Sequence, residues 1–100
     1  MNSTQLLDNS YNKKDGDTAL HIAAGQGRND EVRALLDNNA AVDSKNADGQ
    51  TALHVAAKLG HSVVVQTLLD NKATVDEKDR FGRTPLHDAA QNGHNEAVQT

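Results

Sequence analysis

Residues 16–24 read GDTALHIAA, residues 49–57 read GQTALHVAA and residues 82–90 read GRTPLHDAA. The opening glycines stand 33 residues apart, and the agreement extends beyond the quoted stretches. Residues 15–47 and 48–80 are identical at more than half of their positions, as are 48–67 and 81–100. Self-similarity at this period marks a chain built from stacked units, none of which can bury its apolar face alone.

The local pattern of one unit follows from its residue types. Thr18, Thr51 and Thr84 each precede an apolar run, and a threonine hydroxyl there can accept a bond from an orphan N–H of the first turn. Pro85 then fits the first helical position, where its missing N–H costs nothing, and Ala19 and Ala52 fill the same place as good helix formers. Leu20, Ala23 and Ala24 make an i, i+3, i+4 stripe, repeated as Leu53, Ala56, Ala57 and as Leu86, Ala89, Ala90. Gly27, Gly60 and Gly93 are expected to end these first helices. Asn29, Ser62 and Asn95, two residues further on, are strong N-cap types and are expected to cap a second helix. Its stripe is Val32, Leu35, Leu36 in the first unit and Val65, Leu68, Leu69 in the second. Each unit is thus two antiparallel helices followed by a polar segment with little helical period.

A 33-residue unit carrying T-[AP]-L-H-x-A closely resembles the ankyrin repeat. The resemblance implies an all-α solenoid of stacked antiparallel helix pairs with β-turn fingers. It divides a single domain into an N-terminal partial unit or cap (1–14), a first repeat (15–47), a second (48–80) and a truncated third (81–100). The family usually places glycine after helix two, in a left-handed conformation; Asn39 and Lys72 stand there, and asparagine tolerates that conformation better than lysine. In the first segment Gln5-Leu6-Leu7-Asp8-Asn9 is similar to Thr67-Leu68-Leu69-Asp70-Asn71 and reads as a remnant of a helix two. With Tyr11 it is expected to cover the first repeat. Val98-Gln99-Thr100 matches Val65-Gln66-Thr67, just before the Leu-Leu pair, so the expectation is a fragment of a longer array with a last helix frayed from Asn95 onward.

Composition narrows the function. One hundred residues allow one domain, and with Tyr11 and Phe81 as the only aromatics the core is built from Ala, Leu, Val and Ile. A net charge of −4, with both signs interspersed, offers no basic face for phosphates, so nucleic acid is not an expected partner. The absence of cysteine excludes disulfides and thiolate chemistry. No apolar run suggests a signal peptide or membrane insertion, and the chain reads as intracellular, in the cytoplasm.

The residue types that carry chemistry have structural readings. His21, His54 and His87 share one repeat position, which a stack separates by roughly 10 Å, too far for one ion. His61 and His94 follow seven residues after His54 and His87, a spacing that matches no metal motif. The resemblance instead gives the T-x-L-H histidine hydrogen bonds within and between turns. Ser3, Ser10, Ser44 and Ser62 lack a triad setting, and the glycines form no phosphate-cradling cluster. Asp15, Asp48, Asp70, Asp76 and Asp79 recur in turns, where aspartate bonds its own backbone. No catalytic residue, metal or cofactor is expected, and the chain does not read as an enzyme.

The resemblance implies a protein-binding scaffold or adaptor, and variation between copies then maps the surface. Positions used for packing repeat, whereas the others are free to differ. Around the turn glycine these are Lys14, Asp15 and Asp17, then Ala47, Asp48 and Gln50, then Arg80, Phe81 and Arg83. At the ends of the first helices they are Gln26, Lys58, Leu59, Gln91 and Asn92. Phe81 stands out, because it replaces the aspartate of both earlier copies and is flanked by two arginines, a typical hot-spot composition. Its alternative is a ring folded back on a neighbouring finger. Rival roles are a targeting segment of a larger enzyme or channel, a catalytic unit built on the histidine ladder, and a spacer.

Overall fold

The computed structural model describes residues 16–91, which form five α-helices: α1 (Ala19–Gly25), α2 (Asn29–Asp37), α3 (Ala52–Leu59), α4 (Ser62–Asp70) and α5 (Pro85–Gln91). No strand occurs among the described residues. The first helices α1, α3 and α5 pack side by side in one layer, and α2 and α4 pack together in a second. Each second helix also packs against the first helix of its own unit. Segments 38–51 and 71–84 project between units as the fingers.

The core is the meeting of the two layers. Ala23, Ala24, Ala56, Ala57 and Ala89 are buried between first helices, where short side chains let the backbones approach closely. Leu20, Leu53, Val32, Val64, Val65 and Leu68 fill the space behind them. Leu68 is the largest fully buried side chain. In α4 the buried face is Val64, Val65 and Leu68, and Leu69 packs half-buried against the same core, so the expected stripe is present and is widened by Val64.

The first helices begin as their threonines predict. Thr18 and Thr51 are N-caps with extended backbone, and each hydroxyl accepts the backbone N–H of the histidine three residues on. The second helices begin differently. Asn29 and Ser62 are the first helical residues rather than the caps, and Arg28 and His61 precede them without a side-chain capping bond. The cause is the left-handed glycine: Gly27 (φ 69°) and Gly60 (φ 77°) turn the chain so sharply that a single residue separates them from the next helix. The Asn29 side chain is thereby released to its neighbour, and its Oδ1 accepts the Thr67 hydroxyl at 2.6 Å. Asp30 and Glu31 place negative charge in the first turn of α2, where the helix dipole favours it. Asn95 and Gly93 lie outside the described residues, as do Leu6, Leu7 and Tyr11.

After α2 and α4 the chain reverses through Asn39 (φ 70°) and Lys72 (φ 69°), both left-handed. Ala40 N–H donates to Leu35 O and Ala73 N–H to Leu68 O, closing the helix ends. Lysine has no local side-chain bond to offset this conformation, whose cost is about 1–2 kcal/mol for a residue with a Cβ. Lys72→Gly is therefore expected to stabilise the protein by about 1 kcal/mol, since glycine gives back a little through its freer unfolded chain. Urea denaturation checks this: the midpoint rises at an unchanged m-value.

Candidate protein-interaction surface

The surface is built on a histidine that serves two units at once. In α1 the His21 Nδ1 accepts the Thr18 backbone N–H at 3.1 Å, which obliges Nε2 to carry the ring proton. That Nε2–H donates to Gln50 O, 29 residues ahead, at 2.7 Å. His54 repeats the arrangement, accepting from Thr51 N–H at 3.1 Å and donating to Arg83 O at 2.9 Å. His61 crosses between units as well, with Nε2 donating to Gly25 O at 3.1 Å and its ring lying against Gly27, where a Cβ would meet Nδ1 at 2.9 Å.

The carbonyls held in this way belong to the fingers. Each finger tip is a tight turn around a left-handed glycine, with Asn46 N–H donating to Gln50 O and Asp79 N–H to Arg83 O, both at 2.9 Å. The side chain of the same residue closes the turn: Asn46 Oδ1 accepts from Asp48 N–H and Gln50 N–H, and Asp79 Oδ1 from Phe81 N–H and Arg83 N–H. Neighbouring fingers are then tied to each other. Asn46 Nδ2 donates to Asp17 Oδ1 at 2.9 Å, and Arg80 N–H donates to Asp48 O at 2.8 Å. Lys45 pairs with Glu77 at 2.8 Å, and the Asp43 carboxylate accepts from both the N–H and the hydroxyl of Thr74.

The ankyrin-repeat family model matches residues 3–79 and 43–100, in three copies. The chain belongs to the ankyrin-repeat family. No curated protein matches it at a significant level. Ankyrin repeats generally serve as protein–protein interaction modules, and the helix pairs and turn-tipped fingers described above are the architecture of such a module. No helix among the described residues is long and apolar enough to cross a membrane.

On this ankyrin frame most of the variable positions reach solvent. Gln26, Ala47, Asp48, Leu59, Arg80 and Phe81 are exposed, while Asp17, Lys58 and Arg83 are half-buried. The structure brings Asp48, Arg80, Phe81 and Arg83 into one cluster. Phe81 does not fold back: it is 62% exposed, with the Arg80 and Arg83 guanidinium carbons 5.0 and 4.9 Å from its ring centroid. Leu59 belongs to a separate group, above Gly25 beside Val55. Gln50 must be removed from the candidate surface. It is only 6% exposed, because its carbonyl is drawn in by His21 and its N–H by Asn46. Lys14, Asp15 and Asn92, and the side chain of Gln91, lie outside what the structure describes.

Asp88, which the repeat comparison passes over, and Asp79, expected there as a turn aspartate, organise the cluster. Asp88 occupies the position of Ile22 and Val55, and it is buried. Its Oδ1 lies 3.7 Å from Arg83 Nε, which also donates to Asp79 Oδ2 at 3.1 Å. The visible signal was an acid in an otherwise apolar column. His54, Asp79 and Asp88 bring ligand-type atoms within 4.8 Å of one another, close enough for a group that could hold a cation. Both His54 nitrogens are committed, one as acceptor and one as donor, and the Arg83 guanidinium already supplies the positive charge. While these bonds stand, the imidazole has no lone pair for a metal.

Burial alone would raise the Asp79 carboxyl, but the backbone N–H groups of Arg83 and Phe81 and the Arg83 guanidinium outweigh it and hold its pKa below the ordinary aspartate value. A carboxyl depressed in the folded state contributes stability that is full above the unfolded pKa, about 3.9. That stability is lost as pH falls through the lower folded value. Asp79→Asn keeps an acceptor for the turn, as Asn46 shows, and removes the titration. The variant is therefore expected to be less stable at pH 7 and to lose less stability between pH 5 and pH 2, as measured by denaturant midpoints across that range.

Proposed function

We propose that this chain is a non-enzymatic recognition module that binds another protein through its finger tips and the ends of its first helices. One observation carries the reading: Phe81 replaces the aspartate of the earlier copies and stands 62% exposed between two guanidinium groups. Leaving a large aromatic ring in water forgoes the burial free energy of about 25 cal/mol per Å² of apolar surface. Here the ring is also presented in a defined orientation, because Arg80 is anchored on Asp48 and Arg83 on Asp79. Aromatic and arginine side chains held in this way bind with little loss of rotamer freedom, which is what makes such residues dominate interfaces.

Around this anchor, Asp17, Ala47, Asp48, Arg80 and Arg83 provide a mixed-charge rim on the fingers. Gln26, Lys58 and Leu59 extend the contact along the helix ends, and Lys14, Asp15, Gln91 and Asn92 complete it by repeat position. The Asp48–Arg80 pair is more than half exposed and contributes orientation rather than affinity, since such pairs are worth at most about 1 kcal/mol.

The test is affinity capture followed by titration of the recovered partner. Phe81→Ala is expected to weaken binding about 30-fold or more, the effect of losing a hot spot of about 2 kcal/mol. Val63→Ala, at an exposed position on the opposite layer, should leave binding unchanged. Equal losses for the two variants, or a loss only at Val63, would move the site to the second-helix face.

A further inference from the structure

The third finger carries charges that its fold does not need. In the second finger Asn46 Oδ1 accepts the N–H groups of Asp48 and Gln50, and in the third Asp79 Oδ1 accepts those of Phe81 and Arg83. His21 and His54 hold the carbonyls of Gln50 and Arg83 in the same way. The turn and its anchor are thus complete with neutral side chains, as the second finger shows. The set Asn46, Gln50 and Val55 nevertheless becomes Asp79, Arg83 and Asp88 one unit later. The remaining oxygen of Asp79, Oδ2, and the Asp88 carboxylate converge on one group, the Arg83 Nε, at 3.1 and 3.7 Å.

Stability does not account for the acid in α5. Asp88 is 1% exposed, in a column that Ile22 and Val55 fill in the earlier units. Exchanging a buried ion pair for packed apolar side chains is often neutral or stabilising, so a valine here would serve the core at least as well. What the acid adds is geometry. Asp79 grips Arg83 from the same loop, four residues back, and a single contact at Nε leaves the guanidinium free to swing about it. Asp88 grips the same Nε from the helix layer, so two elements together fix the guanidinium plane. Its central carbon lies 4.9 Å from the centroid of the Phe81 ring. That ring occupies a position that stays open inside the stack: the side chain of Asp48, its counterpart in the second finger, is 53% exposed although a unit follows it.

We propose that Asp88 is a positioning residue for recognition at the third finger: from within the helix layer it locks Arg83, and Arg83 holds the Phe81 ring in the pose that a partner meets. This rests on the reading of Phe81 as the recognition residue, but its first consequence belongs to the free protein.

The test uses the full 100-residue chain and two variants: Asp88→Val, which restores the residue of the second unit, and Asp88→Asn, which keeps the shape and removes the charge. Phe81 is the only phenylalanine, so its ring protons are assigned without overlap. In the parent chain, nuclear Overhauser contacts join this ring to the Arg83 side chain, and the ring current displaces the Arg83 δ protons. Both variants are expected to lose this signature while the His54 Nε2 proton stays protected from exchange and the melting temperature of Asp88→Val is unchanged or higher. A partner recovered with the parent chain should bind either variant about threefold or more weakly, as coupled neighbours do, and neither substitution should weaken binding further once Phe81→Ala is present. A signature that survives both substitutions overturns the proposal, as does an unchanged affinity once the signature is lost. Loss of His54 protection in both variants overturns it too, since Asp88 would then be a residue of the fold. If Phe81→Ala alone leaves binding intact, the recognition reading falls and with it the role of Asp88 in binding, while the signature in the free chain still decides whether Asp88 sets the ring.

Discussion

The imidazole of His21, and again of His54, holds the structure together in two directions. Its acceptor nitrogen takes the N–H of the threonine that caps its own helix, and its donor nitrogen takes a carbonyl from the next finger. Either bond fixes the tautomer that the other requires, so they stand or fall together. Both rings are almost wholly buried, where an unmet partner would cost about 1–3 kcal/mol. The spacing between units is thus set by a buried polar contact with one permitted geometry, and the small apolar residues between α1, α3 and α5 fill the gap it leaves. Leucine at the same position would bury as much surface but would fix neither the cap nor the finger.

The fingers inherit their order from this arrangement. Because Gln50 and Arg83 are held through their carbonyls, the tips between them and the preceding helix are short loops with both ends anchored. Asn46 and Asp79 then close those loops with two backbone bonds each. Asparagine and aspartate do the same work at this position, but the carboxylate also captures Arg83, and through Arg83 it orients Phe81. Asp88 adds a second carboxylate beneath the same guanidinium. A buried acid in the helix layer and an exposed ring on the surface are therefore linked through one side chain.

Much of this was legible in the sequence because identical residues at identical positions do identical work. The threonine caps and the first-helix stripes of the first two units follow from residue type and period, and the left-handed Asn39 and Lys72 follow from the resemblance to a family that usually places glycine there. The start of the second helices did not, because Asn29 and Ser62 are good caps by composition, and only the tight glycine turn before them decides that they are already helical. Gln50 was misread for a related reason. It differs from Asp17 and Arg83 in the other copies, so it looked free to vary, but its place is fixed through its backbone, and backbone contacts leave no trace in residue identity. The Asp79–Arg83–Asp88 cluster escaped notice because it joins three different columns of the repeat, and comparison of copies reads one column at a time.

This gives variation between copies two physical meanings that sequence alone does not separate. A position can vary because its side chain faces solvent and is free of packing, as at Phe81, or because its packing neighbour has changed with it. Val55 lies against Gly25, where an added Cβ would come within 3.2 Å of it, so the apolar residue in the second unit matches the missing side chain in the first. At the same position in the third unit Asp88 faces Arg83 instead, in a unit where Arg83 itself replaces Gln50. These paired changes keep each interface filled while making it unlike the next. The order of units along the stack is then encoded by which side chains can lie against each other, even though the histidine bonds that set their spacing are the same throughout.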